Sequence, residues 1–265
     1  MTSAKRAAAR GVGGGRGVSR AARPSASALV IAARGRTHAP RTVAVVPAGG
    51  IGRRMGAARP KQYLALDGVP LLVRTLAVLA DAVDGVVVVA PADHLAATRR
   101  LLARHRVPRV LEVVAGGAER QESVSLGLAA VPEAVEWVVV HDAVRPFVTA
   151  DLVARVLDAA RRHGAATCGV EIRETVKRVR ESLVESTVDR AGLWLTQTPQ
   201  AFRRALLWEA HDKARRDGYL GTDDAGLVER LGVPVAMVRG LPANLKITTP
   251  DDLVAARRWL VRGQA

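Results

Sequence analysis

The sequence predicts an α/β fold in which helices cover both faces of a mostly parallel, twisted β-sheet. From residue 42 onward, short runs rich in valine alternate with segments whose apolar residues recur at helical spacing. The runs are apolar at almost every position, which is typical of parallel strands buried on both faces. Polar or glycine-rich clusters directly follow these runs. Because ligands of parallel sheets bind beyond the carboxyl ends of the strands, these clusters are the candidate functional residues.

Four strands and four helices are predicted in the first part of this region. The strands cover residues 43–46, 86–90, 110–114 and 137–140. The first helix places six residues on its buried face, namely Leu71, Leu72, Thr75, Leu76, Leu79 and Val83. The other helices cover residues 93–106, 122–130 and 151–162. Each predicted strand is followed by a helix or a glycine turn into one, which is the order of elements in a parallel sheet.

The following part of the chain departs from this order. Residues 170–179 and 182–187 alternate apolar and polar side chains, which predicts a hairpin arm at about residues 170–193. An exposed hairpin needs a partner surface, so we expect a homodimer that buries the arm.

The C-terminal part returns to helices and strands. Helices are predicted over residues 202–216 and 224–231, and late strands over residues 235–238 and 245–247. The last helix opens with Thr249, Pro250, Asp251 and Asp252. This order places a cap residue before a proline at the first helical position and an acid three residues after the cap, which is a capping box.

The composition excludes several classes of protein. The chain has 265 residues, of which 49% are apolar, but no apolar run approaches the roughly 18 residues that span a bilayer. A single cysteine, Cys168, excludes an internal disulfide and cysteine-rich zinc sites, and it suits a reducing compartment. Residues 1–41 hold nine of the 40 Lys and Arg and none of the 25 acids. The rest therefore carries 31 basic and 25 acidic side chains, a balance of +6 that suits an enzyme for anionic substrates.

Residues 1–41 are predicted to form a disordered extension. They are rich in Ala, Arg, Gly and Ser and offer little apolar surface to bury. Because arginine is preferred to lysine along the whole chain, we interpret the segment as a bacterial extension or as a start codon assigned too early. A plastid transit peptide and a nucleic-acid-binding tail are the alternatives. The folded domain is predicted over residues 42–265, with a cytoplasmic location.

The most informative motif is the glycine-rich loop after the first predicted strand. It reads PAGGIGRRM from Pro47 to Met55, and PKQY follows from Pro60. Glycines let backbone N–H groups approach a phosphate closely. Arg54 and Lys61 supply positive charge for a polyphosphate whose charge grows during reaction. Since the spacing fits neither a P-loop nor the dinucleotide fingerprint, a nucleotidyltransferase loop is predicted. The alternative is a surface turn with solvated charges.

Two polar positions follow later strands. Asp142, directly after the strand at 137–140, either shares a magnesium ion with a phosphate or forms a local ion pair with Arg145. The neighbouring His141 is interpreted as a packed histidine, because no second histidine stands at ligand spacing. Lys246 lies between apolar residues, so it either extends to solvent at a sheet edge or meets an anion.

The segment GGAERQESV repeats the order of strand, glycines and helix. Because Gly117 has no side chain, its backbone can approach the edge of a nucleotide base, and Ser123 can hydrogen-bond to that base. Arg120 either reaches a phosphate or pairs with Glu119 or Glu122. By itself, this segment is a weak signal for a nucleotide site.

Taken together, these segments resemble the 2-C-methyl-D-erythritol 4-phosphate cytidylyltransferase family of the non-mevalonate isoprenoid pathway. The resemblance covers about residues 42–260, with every motif in order. The segments that carry it are PAGGIGRRM, PKQY, GGAERQESV, VHDAVRP, ETVKRV, TVDRAGLW, QTPQAF, GTDDA and NLKITTPDDL. It implies a Rossmann-like fold with a projecting β-hairpin arm for dimerisation.

The resemblance also implies roles for individual residues. The CTP site is expected at Pro47, Ala48, Gly49, Gly50, Gly52, Arg54, Lys61, Gly117 and Ser123. Arg54 and Lys61 would be catalytic, because they stabilise the pentacoordinate α-phosphorus. The polyol phosphate is expected at Asp142, Arg145, Thr175, Arg190, Thr198, Thr222 and Lys246, with Thr175 and Arg190 on the arm that crosses to the partner subunit. Mg²⁺, or another divalent cation, is expected near Asp142. The sequence departs from the family pattern at Gly49, where alanine is usual, and at Ala118, where an acid is common.

The expected reaction transfers CMP from CTP to 2-C-methyl-D-erythritol 4-phosphate and releases pyrophosphate. The attacking phosphate is already anionic, so positioning and charge stabilisation suffice without a covalent intermediate. A ribitol-5-phosphate cytidylyltransferase is the alternative enzyme, and the segments TVKRV and TVDRAGLW favour the methylerythritol branch. The alternative of another class is a basic protein that binds nucleic acid through its tail. For the folded domain, neither a membrane nor a nucleic-acid partner is expected.

Overall fold

Eleven strands and seven α-helices make up the part of the chain that the computed structural model describes, residues 41–49 and 60–261. The strands are β1 (Thr42–Pro47), β2 (Ala65–Leu66), β3 (Val69–Pro70), β4 (Gly85–Ala90), β5 (Val110–Ala115), β6 (Trp137–Val140), β7 (Ala165–Glu171), β8 (Val176–Arg180), β9 (Leu183–Val188), β10 (Trp194–Arg203) and β11 (Ala236–Arg239). The helices are α1 (Leu71–Ala82), α2 (Leu95–Arg104), α3 (Arg120–Ala129), α4 (Ala150–His163), α5 (Arg204–Arg216), α6 (Asp224–Glu229) and α7 (Pro250–Val261). Over these residues, no helix is both long enough and apolar enough to cross a membrane.

Seven of the strands form one central sheet in the order β11-β7-β10-β6-β1-β4-β5. The four strands β5, β4, β1 and β6 are parallel neighbours. Strand β10 is antiparallel to both β6 and β7, and β11 is parallel to β7. The sheet is therefore mixed but mostly parallel, as predicted. The carboxyl ends of β5, β4, β1 and β6 consequently meet along one edge.

The core forms on both faces of the sheet because alternate residues of each strand point to opposite sides. In β1, Ala44 and Val46 pack with helices α1, α2 and α4, while Val43 and Val45 pack with α3, α5 and α6. Burying one valine or leucine side chain stabilises the fold by about 1.5–3 kcal/mol. The valine runs are therefore apolar on both sides because both sides are covered.

Two predicted elements differ from the structure. The predicted strand at residues 245–247 is wrong, because this segment makes no ladder and instead packs through Ile247 against Phe147 and Leu66. Strand β10 was not predicted from the sequence, so the predicted helix over residues 202–216 begins later, at Arg204. Strand β10 lies between β7 and β6 in the sheet but contains the polar segment QTPQ, which interrupts the apolar pattern expected of a buried strand.

The predicted hairpin is present but shorter than expected. Strands β8 and β9 form a separate two-stranded sheet, whereas Val170 and Glu171 belong to β7 of the central sheet. The turn lies at Glu181 and Ser182, whose φ angles of 48° and 67° are both in the left-handed region. Two successive positive φ angles are typical of the tight turns whose twist matches a hairpin.

The capping box of α7 is confirmed. The Asp252 backbone N–H donates to the Thr249 hydroxyl oxygen at 3.2 Å. In return, the Asp252 carboxylate accepts from the N–H groups of Thr249 at 2.9 Å and Thr248 at 2.8 Å. Helix α7 therefore starts where the sequence pattern places it.

Candidate active site

The carboxyl ends of β1 and β5 bring together several of the predicted CTP-binding residues. Pro47 ends β1, and Ala48 and Gly49 follow it. The Gly117 backbone N–H donates to the Ser123 hydroxyl at 3.2 Å, and a Cβ atom at Gly49 would lie 3.4 Å from the same hydroxyl. These residues therefore lie side by side, although 68 positions separate Gly49 from Gly117 along the chain.

Gly117 also has a local steric reason to be glycine. The Glu122 carboxylate accepts a hydrogen bond from the Ala118 backbone N–H at 2.8 Å, which folds the Glu122 side chain back over the turn. A Cβ atom at residue 117 would overlap that carboxyl group. The Glu122 carboxylate therefore lies beside residue 118, where the sequence was expected to depart from the family pattern.

Lys61 lies on a short 3₁₀ helix, Lys61–Tyr63, that is tied to the end of β1. Gln62 is buried and its side-chain amide donates to the Ala48 carbonyl oxygen. The Tyr63 ring stacks on His94 with 5.5 Å between the ring centroids. The helix that carries Lys61 is thus anchored on both sides. Three other predicted CTP residues lie outside the described residues, namely Gly50, Gly52 and Arg54.

Asp142 follows β6 and lies at the centre of a cluster of cations. Its Oδ1 atom is 3.3 Å from Arg120 Nε, and its Oδ2 atom is 3.2 Å from Arg145 Nε and 3.0 Å from Lys246 Nζ. The carboxyl group is buried, which by itself would raise its pKa, but Lys246, Arg120 and Arg145 outweigh burial and hold the pKa well below its usual range. Asp142 is therefore ionised at neutral pH. The predicted ion pair with Arg145 is present as part of this larger cluster.

A second buried carboxylate, Asp224, lies on the other side of Arg120. Arg120 Nη1 is 2.8 Å from Asp224 Oδ2, and His211 Nε2 is 3.0 Å from Asp224 Oδ1. Burial alone would lower the pKa of Arg120, but the carboxylates of Asp224 and Asp142 raise it above its ordinary value. The alternative in which Arg120 pairs with Glu119 or Glu122 is therefore wrong, because its carboxylate partners are Asp142, which follows β6, and Asp224, which begins α6.

His141 is a packed, neutral residue, as predicted. Burial lowers its pKa to about 4. Its Nδ1 atom lies 3.0 Å from the Thr198 hydroxyl, which also accepts from the Asp142 backbone N–H at 3.0 Å. The hydroxyl proton of Thr198 is thus directed to Nδ1, and His141 Nε2–H donates to the Arg145 carbonyl at 3.3 Å. His141 therefore supports the main chain around Asp142 and takes no proton from a substrate.

A cavity of about 700 Å³ opens beside Asp142. Five of the seven residues predicted for the polyol phosphate line it, namely Asp142, Arg145, Thr198, Thr222 and Lys246. Thr175 and Arg190 do not line it within this protomer. Both are exposed on the hairpin side of the molecule, where Arg190 donates to the Arg173 carbonyl oxygen. Since Lys246 meets the Asp142 carboxylate, the interpretation of Lys246 as a cation opposite an anion is the better one.

Three buried polar residues that organise this cavity were not predicted from the sequence. Asn244 donates from Nδ2 to the Thr198 backbone carbonyl at 2.7 Å, and the backbone carbonyl of Asn244 accepts from Arg145 Nη1 at 2.8 Å. Gln200 accepts from the backbone N–H groups of Asp224 and Ala225 at 3.2 Å. Asn244, Gln200 and Asp224 stand in the motif segments NLKITTPDDL, QTPQAF and GTDDA, so the segments themselves were the available signal.

The donor set around the cavity suits a metal ion that arrives on a nucleotide better than a resident one. No group of three or more His, Cys, Asp or Glu residues that could hold a metal ion occurs in the described ranges 41–49 and 60–261. Asp142 is already engaged by three cations, and Asp223 caps α6 by accepting from the Gly226 N–H at 3.0 Å. Mg²⁺ in nucleotide sites keeps several waters and uses one or two carboxylates together with phosphate oxygens. Asp142, where the sequence predicts such an ion, has both of its oxygens engaged by cations in this structure.

Comparison with known proteins identifies the family of this chain. The family described as 2-C-methyl-D-erythritol 4-phosphate cytidylyltransferase matches residues 42–262. The chain belongs to this family. The cytidylyltransferase of Syntrophus aciditrophicus is 48% identical over 225 residues, which are 83% of this chain and 96% of that protein. The cytidylyltransferase of Geobacter metallireducens is 46% identical over 223 residues, 82% of this chain and 96% of that protein.

Solved structures of cytidylyltransferases share the fold. The crystal structure of 2-C-methyl-D-erythritol 4-phosphate cytidylyltransferase from Thermus thermophilus is 41% identical, with a TM-score of 0.68, over 83% of this chain and 98% of that one. The 4-diphosphocytidyl-2C-methyl-D-erythritol synthase of Anaerococcus prevotii is 28% identical, with a TM-score of 0.73 and the same coverage. The resemblance drawn from the motifs and the predicted fold class are both confirmed.

Proposed function

We propose that this protein transfers CMP from CTP to 2-C-methyl-D-erythritol 4-phosphate and so forms 4-diphosphocytidyl-2-C-methyl-D-erythritol and pyrophosphate. The observation that carries the proposal is the cavity beside Asp142, which lies at the carboxyl edge of the sheet and holds three cations around one carboxylate. Such an arrangement suits a phosphate that is bound next to a reacting phosphorus. The identity of the reaction is inferred from the family to which the chain belongs.

The proposed reaction uses the charged side chains of the site. A phosphate oxygen of the polyol attacks the α-phosphorus of CTP in line, and pyrophosphate leaves from the opposite side. The P–O bond to the β-phosphate breaks as the new P–O bond forms, and no proton needs to move. Lys246 and Arg145 are proposed to hold the attacking phosphate, while Lys61 and Arg54 offset the charge on the triphosphate. The neutral, fully enclosed His141 has no role as an acid or base.

Magnesium is proposed to enter with CTP as part of the substrate. When bound, the ion would supply positive charge to the phosphate oxygens, and Asp142 is proposed as the residue that would hold it. Because Asp142 already has three cationic partners, a direct contact would require at least one of them to shift towards a phosphate.

The hairpin supports a proposed homodimer. Three of its large apolar side chains are more than half exposed, namely Val179, Leu183 and Val184. Apolar side chains on a projecting two-stranded sheet favour burial against a second subunit. In a symmetric dimer the arm would bring Thr175 and Arg190 of the partner subunit towards this cavity, which explains why neither lines it within one protomer.

Turnover with two polyol phosphates tests the proposed substrate. Purified protein would be given CTP, Mg²⁺ and either 2-C-methyl-D-erythritol 4-phosphate or ribitol 5-phosphate, with pyrophosphate release as the measurement. We expect kcat/KM to be about a hundredfold higher for the methylerythritol substrate, the discrimination typical of a pocket that distinguishes substrates by a methyl group or an added hydroxyl. A preference for ribitol 5-phosphate would overturn the assignment.

The bacterial relatives and the buried, free Cys168 support a cytoplasmic location.

A further inference from the structure

Asp224, a buried side chain that the proposed reaction does not use, contacts Arg120, a cation of the site, and the buried His211 contacts Asp224 in turn. Arg120 lies between two carboxylates, with Nη1 at 2.8 Å from Asp224 Oδ2 and Nε at 3.3 Å from Asp142 Oδ1. A guanidinium group is planar and rigid, so fixing one of its N–H groups sets the direction of the others. The position of Asp224 therefore decides where Arg120 meets Asp142.

Asp224 is itself held firmly. Its side chain is 1% exposed, and its Oδ1 atom contacts His211 Nε2 at 3.0 Å. Its backbone N–H donates to Gln200 Oε1 at 3.2 Å at the start of α6. By contrast, the Arg120 side chain is 27% exposed and lines the cavity. Asp224 is thus the fixed end of the pair, and Arg120 is the end that faces the substrate space.

Arg120 also acts on a particular atom of Asp142. Lys246 and Arg145 both engage Oδ2, whereas Arg120 is the cation that engages Oδ1 among the described contacts. A carboxylate with one oxygen held by two cations can still rotate unless its second oxygen is held as well. Arg120 supplies that second contact, so the orientation of Asp142 depends on Asp224 through Arg120.

We propose that Asp224 is a positioning residue that, with His211 behind it, holds Arg120 in the direction that orients the Asp142 carboxylate, which in turn positions Lys246 and Arg145 for the polyol phosphate. This proposal rests on the proposed cytidylyltransferase function and adds a residue to the same site. Asp224 is not among the residues that line the cavity, and it acts through a chain of two ion pairs that joins α6, α3 and the end of β6.

The first test compares Asp224→Asn with a matched control. Asparagine keeps the shape of the side chain and removes its charge, so the grip on Arg120 weakens. We expect the KM for the polyol phosphate to rise about tenfold, with the KM for CTP changed less than about twofold. The control is Asp212→Asn, because Asp212 lies next to His211 on α5 but pairs on the surface with Arg215 and Arg216. The control variant is expected to keep wild-type constants.

A double-mutant cycle then separates positioning from general stability. In Arg120→Lys, one ammonium group replaces the fork and meets only one of the two carboxylates, so the KM for the polyol phosphate should also rise about tenfold. If Asp224 acts through Arg120, the double variant shows no more than the larger single effect. The proposal would be overturned if the increases in KM for the polyol phosphate multiplied in the double variant. An unchanged KM in either single variant would overturn it as well. The melting temperature of each variant is recorded. If Asp224→Asn does not fold, His211→Gln takes its place in the cycle, because His211 holds the other oxygen of the Asp224 carboxylate.

The wild-type protein distinguishes the two levels of the proposal. A wild type that turns over CTP with neither polyol phosphate would overturn the proposed function and the role of Asp224 with it. An active wild type combined with an unaltered KM in Asp224→Asn and Arg120→Lys would overturn the positioning role alone.

Discussion

Replacing Lys246 by glutamine is expected to weaken binding of the polyol phosphate about tenfold while CTP binding stays nearly unchanged. Lys246 Nζ lies 3.0 Å from Asp142 Oδ2 and lines the cavity together with Thr198 and Thr222. Among the predicted CTP residues, Pro47, Ala48 and Gly117 instead lie at the ends of β1 and β5. Glutamine keeps most of the length of the side chain but removes its charge, so the change isolates the electrostatic contribution.

The size of the effect follows from the exposure of the pair. A hydrogen bond to a charged group contributes about 1.5–3 kcal/mol. The Lys246 side chain is 37% exposed, so solvent screens part of its charge and the lower end of the range applies. About 1.4 kcal/mol corresponds to a factor of ten in binding. Since Asp142 keeps Arg120 and Arg145, the melting temperature should fall by only a few degrees.

Steady-state kinetics with each substrate varied in turn measures both Michaelis constants. The matched control is Lys213→Gln, because Lys213 is 40% exposed and pairs with Asp217 at 2.9 Å on the surface, which reproduces the N–O distance and the lysine exposure of the Lys246 pair. The control should leave both constants unchanged. Equal increases for CTP and the polyol phosphate in Lys246→Gln, or a loss of stability with unchanged constants, would contradict the assignment of this cavity.

Three further predictions concern catalysis, assembly and pH. Lys61→Ala should lower kcat about a hundredfold in a folded protein, as is typical of a lost donor to transition-state charge, and near-normal kcat would remove Lys61 from the catalytic group. Deleting residues 174–188 should yield a protein that is monomeric by analytical ultracentrifugation and inactive in the turnover assay. A wild-type protein that is fully active as a monomer would rule out the proposed dimer. Burial lowers the pKa of His141 from 6.5 to about 4, so the unfolded state binds its proton first as the pH falls. Between pH 6.5 and 4 the free energy of unfolding from urea titration should decrease by about 3 kcal/mol through this residue, and His141→Gln should flatten that decrease.

The local sequence accounts for the strands and helices that were predicted correctly. Strands β1, β4, β5 and β6 and the helices between them were found because valine runs and helical spacing are properties of neighbouring residues. Strand β10 was missed because its polar QTPQ segment hides the strand pattern. The segment at 245–247 was mistaken for a strand because its apolar residues pack against Phe147 without pairing to a neighbour.

The motifs likewise identified residues of the site but not the ion pairs and hydrogen bonds between them. They placed Asp142, Arg145, Thr198, Thr222 and Lys246 in one group, and the tertiary structure arranges all five around one cavity. That group rested on the resemblance to a family, since no local pattern relates residues so far apart.

The environment of Asp142 was decided by the tertiary structure. Its three cations come from residues 120, 145 and 246, which meet because the order of strands in the sheet brings α3 and the segment before α7 to the end of β6. The same order places Asp224 behind Arg120, a contact across 104 positions. Local sequence determines which segments become strands and helices, because those preferences act between neighbours. Charges on segments a hundred residues apart acquire their partners only when the sheet is assembled, because the attraction between them is short-ranged in water.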